Sequence, residues 1–499
     1  MKCADTDVET WMKNRIKTDQ IYKYLDGGRD FIDDNKIFGI LEKNSNPEPA
    51  RIRDIIRKSL EIKTLSPEET AALINVTDRE LLEEMRSAAA EVKRKVYDNR
   101  IVTFAPLYTG NYCVNNCLYC GFKSDNKDLV ERKALSMEEI RRESEILAGK
   151  IGHKRLIAVY GEHPLTDTAY IAESIRNIYG VKVKTRNGFG QIRRVNVNAA
   201  PMSIEDLKIL RDVGIGTYQV FQETYHHGTY GKMHPPGTLK GNYKWRLYSM
   251  HRAMEAGVDD VGLGVLFGLF DWKFEIIGLI LHAIELEKKF GIGSHTVSFP
   301  RIEPAINSPV SGNTRFKVSD DDFKKIITVI RLAIPYTGMI ITARESAALR
   351  RATLGMGVTQ TDASTRIGIG AYSESYDKQE EARQQFILGD TRSLDEVIRE
   401  FSRMGYITSF CTAGYRCGRT GKCIMELLRS GQEGRFCKLN AVLTFREWLD
   451  DFAGEETRRA GEEVIEKEIR EIEEKVPAFY SRLVEYYERI KKGERDLYF

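Results

Sequence analysis

From Ile101 onward, short β-branched runs alternate with amphipathic segments, and the alternation repeats eight times. The runs are Ile101–Tyr108, Arg155–Tyr160, Arg194–Asn198, Thr217–Phe221, Asp260–Phe267, His295–Phe299, Met339–Ala343 and Gly357–Thr361. Runs this short, separated by helical stretches, predict buried parallel strands, because parallel neighbours need a crossover that a helix supplies. Two of the intervening helices open on capping signals, Ser136-Met137-Glu138-Glu139 and Ser203-Ile204-Glu205-Asp206. Eight such units predict an α/β chain built on a (β/α)8 barrel of the TIM type, with its active site at the C-terminal ends of the strands. Around it, 1–98 read as an N-terminal helical segment, 99–385 as the barrel, 386–453 as a C-terminal cysteine-bearing domain and 454–499 as a charged helical tail.

The first loop after the first run carries the chemistry. Tyr112-Cys113-Val114-Asn115-Asn116-Cys117-Leu118-Tyr119-Cys120-Gly121-Phe122 places three cysteines in the spacing C-x-x-x-C-x-x-C. Iron–sulfur clusters are held by cysteine thiolates, normally four, so a set of three leaves one iron for another ligand. In radical S-adenosylmethionine (SAM) enzymes that ligand is SAM itself. A zinc site fits less well, since zinc usually takes four ligands in paired clusters.

Other positions fall on the same face. Phe122 is placed either to flank the adenine of SAM or to pack under the loop. Glu162, in Gly161-Glu162-His163-Pro164 after the second run, can accept hydrogen bonds from the ammonium of SAM, or simply belong to a loop. Glu223, in the polar stretch Gln222–His227 after the fourth run, is a SAM or substrate ligand or a loop cap, while His226 and His227 read as loop histidines. Gly262 and Gly264 interrupt the fifth strand, as glycines do where a ligand such as adenine approaches or where the barrel packs tightly. Arg344, after the seventh run, offers a planar fork for a substrate carboxylate, with an ion pair to Glu345 as the alternative.

Composition bounds the rest. The 499 residues are 42% hydrophobic and 30% charged, with a formal charge of +3. Those values suit a cytoplasmic globular protein and give no ground for nucleic-acid or membrane binding. No apolar run reaches the roughly 18 residues that suggest a membrane span, and the polar stretch from Met1 to Asp19 is not a signal peptide. Seven of the eight cysteines fall near 113–120 and 411–437, which predicts metal ligation in a reducing compartment rather than disulfides.

Long stretches of the chain resemble the radical SAM tyrosine lyases. The matches are Tyr112–Phe122, Val195–Asn198, Thr217–His226, Asp259–Leu269, Pro335–Met339, Leu388–Asp390 with Arg392–Glu396, and Leu443–Phe445. Within that family the chain is nearer to the maturase of [FeFe]-hydrogenase than to the 2-iminoacetate synthase of thiamine biosynthesis. The resemblance implies a 4Fe–4S cluster on Cys113, Cys117 and Cys120, with SAM as its fourth ligand. It also implies an electron donor such as ferredoxin or flavodoxin, and an amino-acid substrate, tyrosine, cleaved through a 5′-deoxyadenosyl radical to p-cresol and dehydroglycine. The maturase goes on to carbon monoxide and cyanide on a second cluster, working with cofactor-assembly partner proteins. That cluster sits on C-x-x-C and a third cysteine after 22 further residues, with an added iron on a histidine that matches His282; a packing histidine is the alternative.

Here the chain departs from the family. The position of the second cysteine is Gly414, which has no side chain to ligate; Cys411 and Cys437 keep their places, and Cys417 and Cys423 are additional. Three arrangements are open: Cys417 or Cys423 replaces the missing thiolate, all four cysteines close the cluster, or the thiols are inert. The alternative functions are a lyase that stops at dehydroglycine and a non-catalytic iron–sulfur scaffold or iron carrier.

Overall fold

Strand β1 (Arg100–Gly110) is buried along all 11 of its residues and organises the sheet. The computed structural model describes residues 7–374, 383–419, 421–429 and 433–499; Cys3, Thr420 of the cysteine segment and 375–382 at the expected end of the barrel lie outside the described residues. After β1 come β2 (Arg155–Tyr160), β3 (Arg194–Asn198), β4 (Tyr218–Gln219), β5 (Val261–Gly264), β6 (Thr296–Ser298), β7 (Gly338–Ile341) and β8 (Gln360–Asp362). Each pairs in parallel with the next, and β8 closes the barrel on β1 through Val102↔Gln360, Thr103↔Thr361 and Phe104↔Asp362.

Each expected run overlaps one of these strands, and several observed strands are shorter because only their central residues complete the ladder. Inside the barrel, Phe104, Ile157 and Ile340 form a small apolar layer of their own, beneath the C-terminal mouth. The helices start where their caps say they should. Ser136 Oγ accepts the Glu139 N–H at 3.2 Å, and the Glu139 carboxylate takes the Ser136 N–H at 2.8 Å. Such caps each contribute about 1 kcal/mol.

The N-terminal helices wrap one flank of the barrel. Helix Arg79–Tyr97 lies against helix Asp320–Ala333, and Tyr97 donates its hydroxyl hydrogen to the Tyr336 carbonyl at 2.7 Å. His227 ties the segment to the fourth βα loop, with Nδ1 2.8 Å from Asp34 and Nε2 3.4 Å from Asp30.

An additional strand, β9 (Ile407–Ser409), pairs with Arg100–Val102 of β1 and carries the chain to the N-terminal end of the barrel. Three residues are too few to show a periodic pattern, so the sequence gives no sign of it. Helix Glu433–Asp451 then docks there through Glu447, which meets Lys154 at 3.0 Å and Arg193 at 2.8 Å with all three side chains buried. Burial alone pushes the Glu447 carboxyl up, but Arg193 and Lys154 outweigh it and hold the pKa at about 2. Removing one partner from such a buried pair costs about 3–5 kcal/mol, so this cluster fixes the C-terminal helices to the barrel. Helices Glu455–Lys475 and Pro477–Lys491 follow, the first burying Val464, Ile465 and Ile472. Among the described residues no helix is long and apolar enough to cross a membrane.

Candidate active site

The loop after β1 is closed at its base by Asn111. Its backbone N–H donates to Lys133 O at 3.0 Å, its Nδ2 to Glu131 O at 2.7 Å, and its Oδ1 accepts the Lys133 N–H at 2.8 Å. Arg132 reaches over the loop to the carbonyls of Asn111 and Phe122, at 2.6 and 2.9 Å. These side chains satisfy loop carbonyls that neither helix nor sheet would pair. The cysteines are thereby presented on a fixed frame.

Cys113, Cys117 and Cys120 line one cavity of about 250 Å³ at the C-terminal mouth of the barrel. Burial pushes the Cys113 and Cys117 thiols up, Cys117 to about 12. Thiols in such surroundings are inert until a metal displaces their protons.

The second loop meets the first at Gly161. A Cβ there would stand 2.1 Å from the Tyr112 carbonyl oxygen, so only glycine lets the two loops touch. Next to it, Glu162 is buried and lines the cavity. Its Oε2 accepts from Asn115 Nδ2 at 2.6 Å, while Oε1 is buried with no partner. Burial pushes this carboxyl up. A buried acceptor left open is costly unless a ligand fills it, and an ammonium group would. Thiols and open carboxylate together fit a SAM-bound cluster.

Across the cavity, Arg344 lies with its guanidinium 3.3 Å from the centre of the Phe386 ring. Glu345 does not take it: that carboxylate is bound by Arg301, whose Nε donates to it at 3.0 Å. Among the described residues Arg344 makes no hydrogen bond, so its fork is open to a ligand. Phe122 also lines the cavity, with its ring against Tyr108 at 6.2 Å in an edge-on contact. Glu223 lines the cavity too, from a left-handed backbone (φ 72°). Its Oε1 accepts from Lys240 at 2.7 Å and Arg246 at 3.2 Å. Burial pushes the Glu223 carboxyl up, yet the two cations outweigh it and hold the group below its usual range.

Gly262 and Gly264 are closely packed, which is the tight-packing alternative to an adenine contact. A Cβ on Gly262 would stand 2.7 Å from Gln219 Cγ, and one on Gly264 would stand 2.2 Å from the Phe221 ring. Gln219 and Thr296 crowd the first and Phe221 the second. His226 stacks on Phe270 at 3.9 Å, and His227 holds Asp30 and Asp34, so both are structural. His282 is buried in helix Trp272–Phe290, with Nδ1 3.0 Å from the Tyr225 hydroxyl and its ring against Phe31 and His251. Burial lowers its pKa to about 3. Its Nε2 is buried without a hydrogen-bond partner among the described residues.

Cys411 follows β9 with a left-handed backbone (φ 49°), and Cys437 lies on helix Glu433–Asp451; both are half-buried. Both also act electrostatically on the Tyr97 phenol, which puts them on the same side of the fold. Cys417 and Cys423 are exposed, and Cys417 Sγ lies 3.4 Å from the Phe499 carbonyl oxygen. The residues that sequence reasoning missed are Asn115, Lys240 and Gln385. Asn115 stands inside the cysteine motif and was legible there as a polar residue between ligands. Lys240 and Gln385 come from irregular segments that carry no pattern.

Residues 107–280 match the radical SAM superfamily, and 298–407 match the Biotin and Thiamin Synthesis associated domain. A crystal structure of HydG, a maturase of the [FeFe]-hydrogenase, is 46% identical with a TM-score of 0.88, over 94% of this chain and 100% of that one. HydG from Carboxydothermus hydrogenoformans is 37% identical with a TM-score of 0.75, over 96% of this chain and 100% of that one. The 2-iminoacetate synthase of Salmonella typhimurium is 28% identical over 352 residues, 70% of this chain and 88% of that protein.

Proposed function

The chain belongs to the radical SAM family of HydG, the [FeFe]-hydrogenase maturase, and we propose that its cavity cleaves the Cα–Cβ bond of tyrosine to p-cresol and dehydroglycine. It is a carbon–carbon lyase that uses a 4Fe–4S cluster and SAM. When bound, cluster and SAM supply a 5′-deoxyadenosyl radical on receipt of an electron from a donor such as ferredoxin or flavodoxin. The single observation that carries the reading is the shared cavity: Cys113, Cys117, Cys120 and Glu162, which keeps one carboxylate oxygen without a partner, line the same space as the unpaired fork of Arg344.

The chain's own groups then have definite tasks. Cys113, Cys117 and Cys120 would hold the cluster, and Glu162 Oε1 would accept from the SAM ammonium. Arg344 would clamp the carboxylate of the amino acid in the planar, bidentate manner its guanidinium allows. Phe386 lies under that guanidinium, 3.3 Å from it, and would support its orientation. Phe104, Ile157 and Ile340 give the cavity an apolar wall.

The C-terminal cysteines would hold a second cluster, with Cys411 and Cys437 as two ligands and Cys417 or Cys423 as the third. Gly414 favours a second reading, in which the lyase releases dehydroglycine without making carbon monoxide or cyanide for a hydrogenase-assembly partner. Anaerobically reconstituted protein with dithionite, SAM and tyrosine should release 5′-deoxyadenosine and p-cresol. Deoxyadenosine alone would move the substrate elsewhere, and iron–sulfur content with neither product would make the chain a scaffold. Carbon monoxide captured by haemoglobin separates the two lyase readings.

A further inference from the structure

The backbone of Gln384 and Gln385 lies directly on the cysteine loop. A Cβ at Gly121, the residue after Cys120, would stand 2.9 Å from the Gln385 carbonyl oxygen. That close approach delivers the Gln385 side chain to the thiols. Its Nε2 stands 3.4 Å from Cys120 Sγ, and its Oε1 accepts the Tyr108 hydroxyl hydrogen at 3.0 Å. Which end of an amide faces which partner is ordinarily a matter of network logic. Here the partners decide it, because Tyr108 has a proton to give and a metal-bound Cys120 thiolate has none. Burial pushes the Tyr108 phenol well above its usual range, so it remains a donor. The strap is anchored beyond Gln385 as well: Phe386 stacks on Arg344, and the Gly389 and Asp390 N–H groups donate to the Ala343 carbonyl at 2.8 and 3.0 Å.

We propose that Gln385 tunes the SAM cluster by donating an N–H···S hydrogen bond to the Cys120 thiolate, from an amide that Tyr108 holds in orientation. Hydrogen bonds to cluster sulfurs are among the factors that set reduction potential. A donor on a ligating sulfur withdraws charge and favours the form with one more electron, which a low-potential reductant supplies. Gln385 therefore raises the potential at which the cluster accepts that electron. Asn115 Nδ2, 3.7 Å from Cys113 Sγ, is a longer contact of the same kind. Gln385 acts through the cluster and is a positioning residue, not one that touches the reacting atoms.

The inference rests on the assignment of Cys113, Cys117 and Cys120 to the cluster. The test is an electron-paramagnetic-resonance redox titration of full-length reconstituted enzyme, with iron and sulfide counted in every sample. Gln385→Leu keeps the bulk and removes the donor. Its midpoint should move to a more negative potential, with the reduced-to-oxidised ratio at a fixed potential falling about tenfold, or about 59 mV for one electron. Tyr108→Phe frees the amide and should give a smaller shift in the same direction. An unmoved midpoint in fully loaded Gln385→Leu overturns the proposal. Should Gln385→Leu fail to assemble its cluster, Tyr108→Phe decides, and a parental midpoint there overturns it. Parent enzyme without iron and sulfide would defeat the site assignment instead, which is a different result.

Discussion

Asn115 donates to Glu162 at 2.6 Å, and this contact decides which carboxylate oxygen is left without a partner. Oε2 is occupied, so Oε1 is left buried and without a partner. The same Asn115 accepts the Lys240 N–H at 2.8 Å, so one side chain inside the cysteine motif joins three loops. Glu162→Gln keeps the size of the group and removes its charge. A hydrogen bond to a charged group contributes about 1.5–3 kcal/mol, so SAM should bind about 10- to 100-fold more weakly at unchanged iron content. The measurement is a SAM titration of the reconstituted cluster signal. Parental affinity would take Glu162 out of the SAM site.

Arg344→Lys tests the carboxylate seat. Lysine keeps the charge and loses the fork, so the KM for tyrosine should rise by about tenfold or more. Because the change lies on the substrate side, SAM cleavage without substrate should stay at the parental rate. Product analysis over a tyrosine series measures both. An unchanged KM would place the carboxylate elsewhere in the cavity.

Gly264→Ala separates packing from ligand contact. The added methyl would meet the Phe221 ring at 2.2 Å, and overpacking of this kind costs about 1–3 kcal/mol. Urea unfolding should show that loss while the SAM affinity of the folded fraction stays parental. Weaker SAM binding at full stability would return Gly264 to the adenine site.

The barrel was legible because its strands are set by local composition, and the cysteine loop because its spacing admits few other uses. Glu162 and Arg344 were legible from position, each standing just after a strand where a barrel builds its site. Gly262 and Gly264 were legible only as a pair of alternatives, since ligand approach and strand packing both call for glycine, and the packing side rests on the neighbours Gln219 and Phe221. Glu223 was half legible: its place at a strand end was correct, but its cations come from Lys240 and Arg246, distant from any motif. β9 and Gln385 lie where the periodic pattern has ended, and their roles are fixed by what they touch on β1 and the cysteine loop.

His227 sets a pH dependence for the N-terminal segment. Burial lowers its pKa, but hydrogen bonds to Asp30 and Asp34 outweigh burial and raise it to about 9. A histidine raised in the folded state contributes stability that is fully present below its unfolded value of about 6.5. That contribution is lost as pH rises through about 9. Amide protection factors, which divide out the intrinsic rise of exchange with pH, should therefore fall in the segment around Asp30 and Asp34 between these limits, and His227→Ala should abolish the trend. A flat profile in the parent would show that the contact does not hold the segment.

The last test concerns the second cluster. The short helix Ala413–Arg416 places position 417 one turn beyond 414, with the Cys417 N–H bonded to the carbonyls of Ala413 and Gly414 at 3.1 and 3.2 Å. Residues three apart on a helix share a face, so a thiol at 417 is the nearest substitute for the side chain that Gly414 lacks. Cys423 stands on the next helix, Gly421–Arg429, and is exposed. Among the described residues a Cβ at 414 would meet only Arg419, at 3.6 and 3.9 Å, which is ordinary contact. Cys417→Ser should lose about four irons per chain, the content of one 4Fe–4S cluster, whereas Cys423→Ser should lose none. Adding Gly414→Cys to Cys417→Ser should restore the iron. Parental iron in both single variants, with a loss in Cys411→Ser, would leave the cluster on Cys411 and Cys437 with a ligand from outside these thiols.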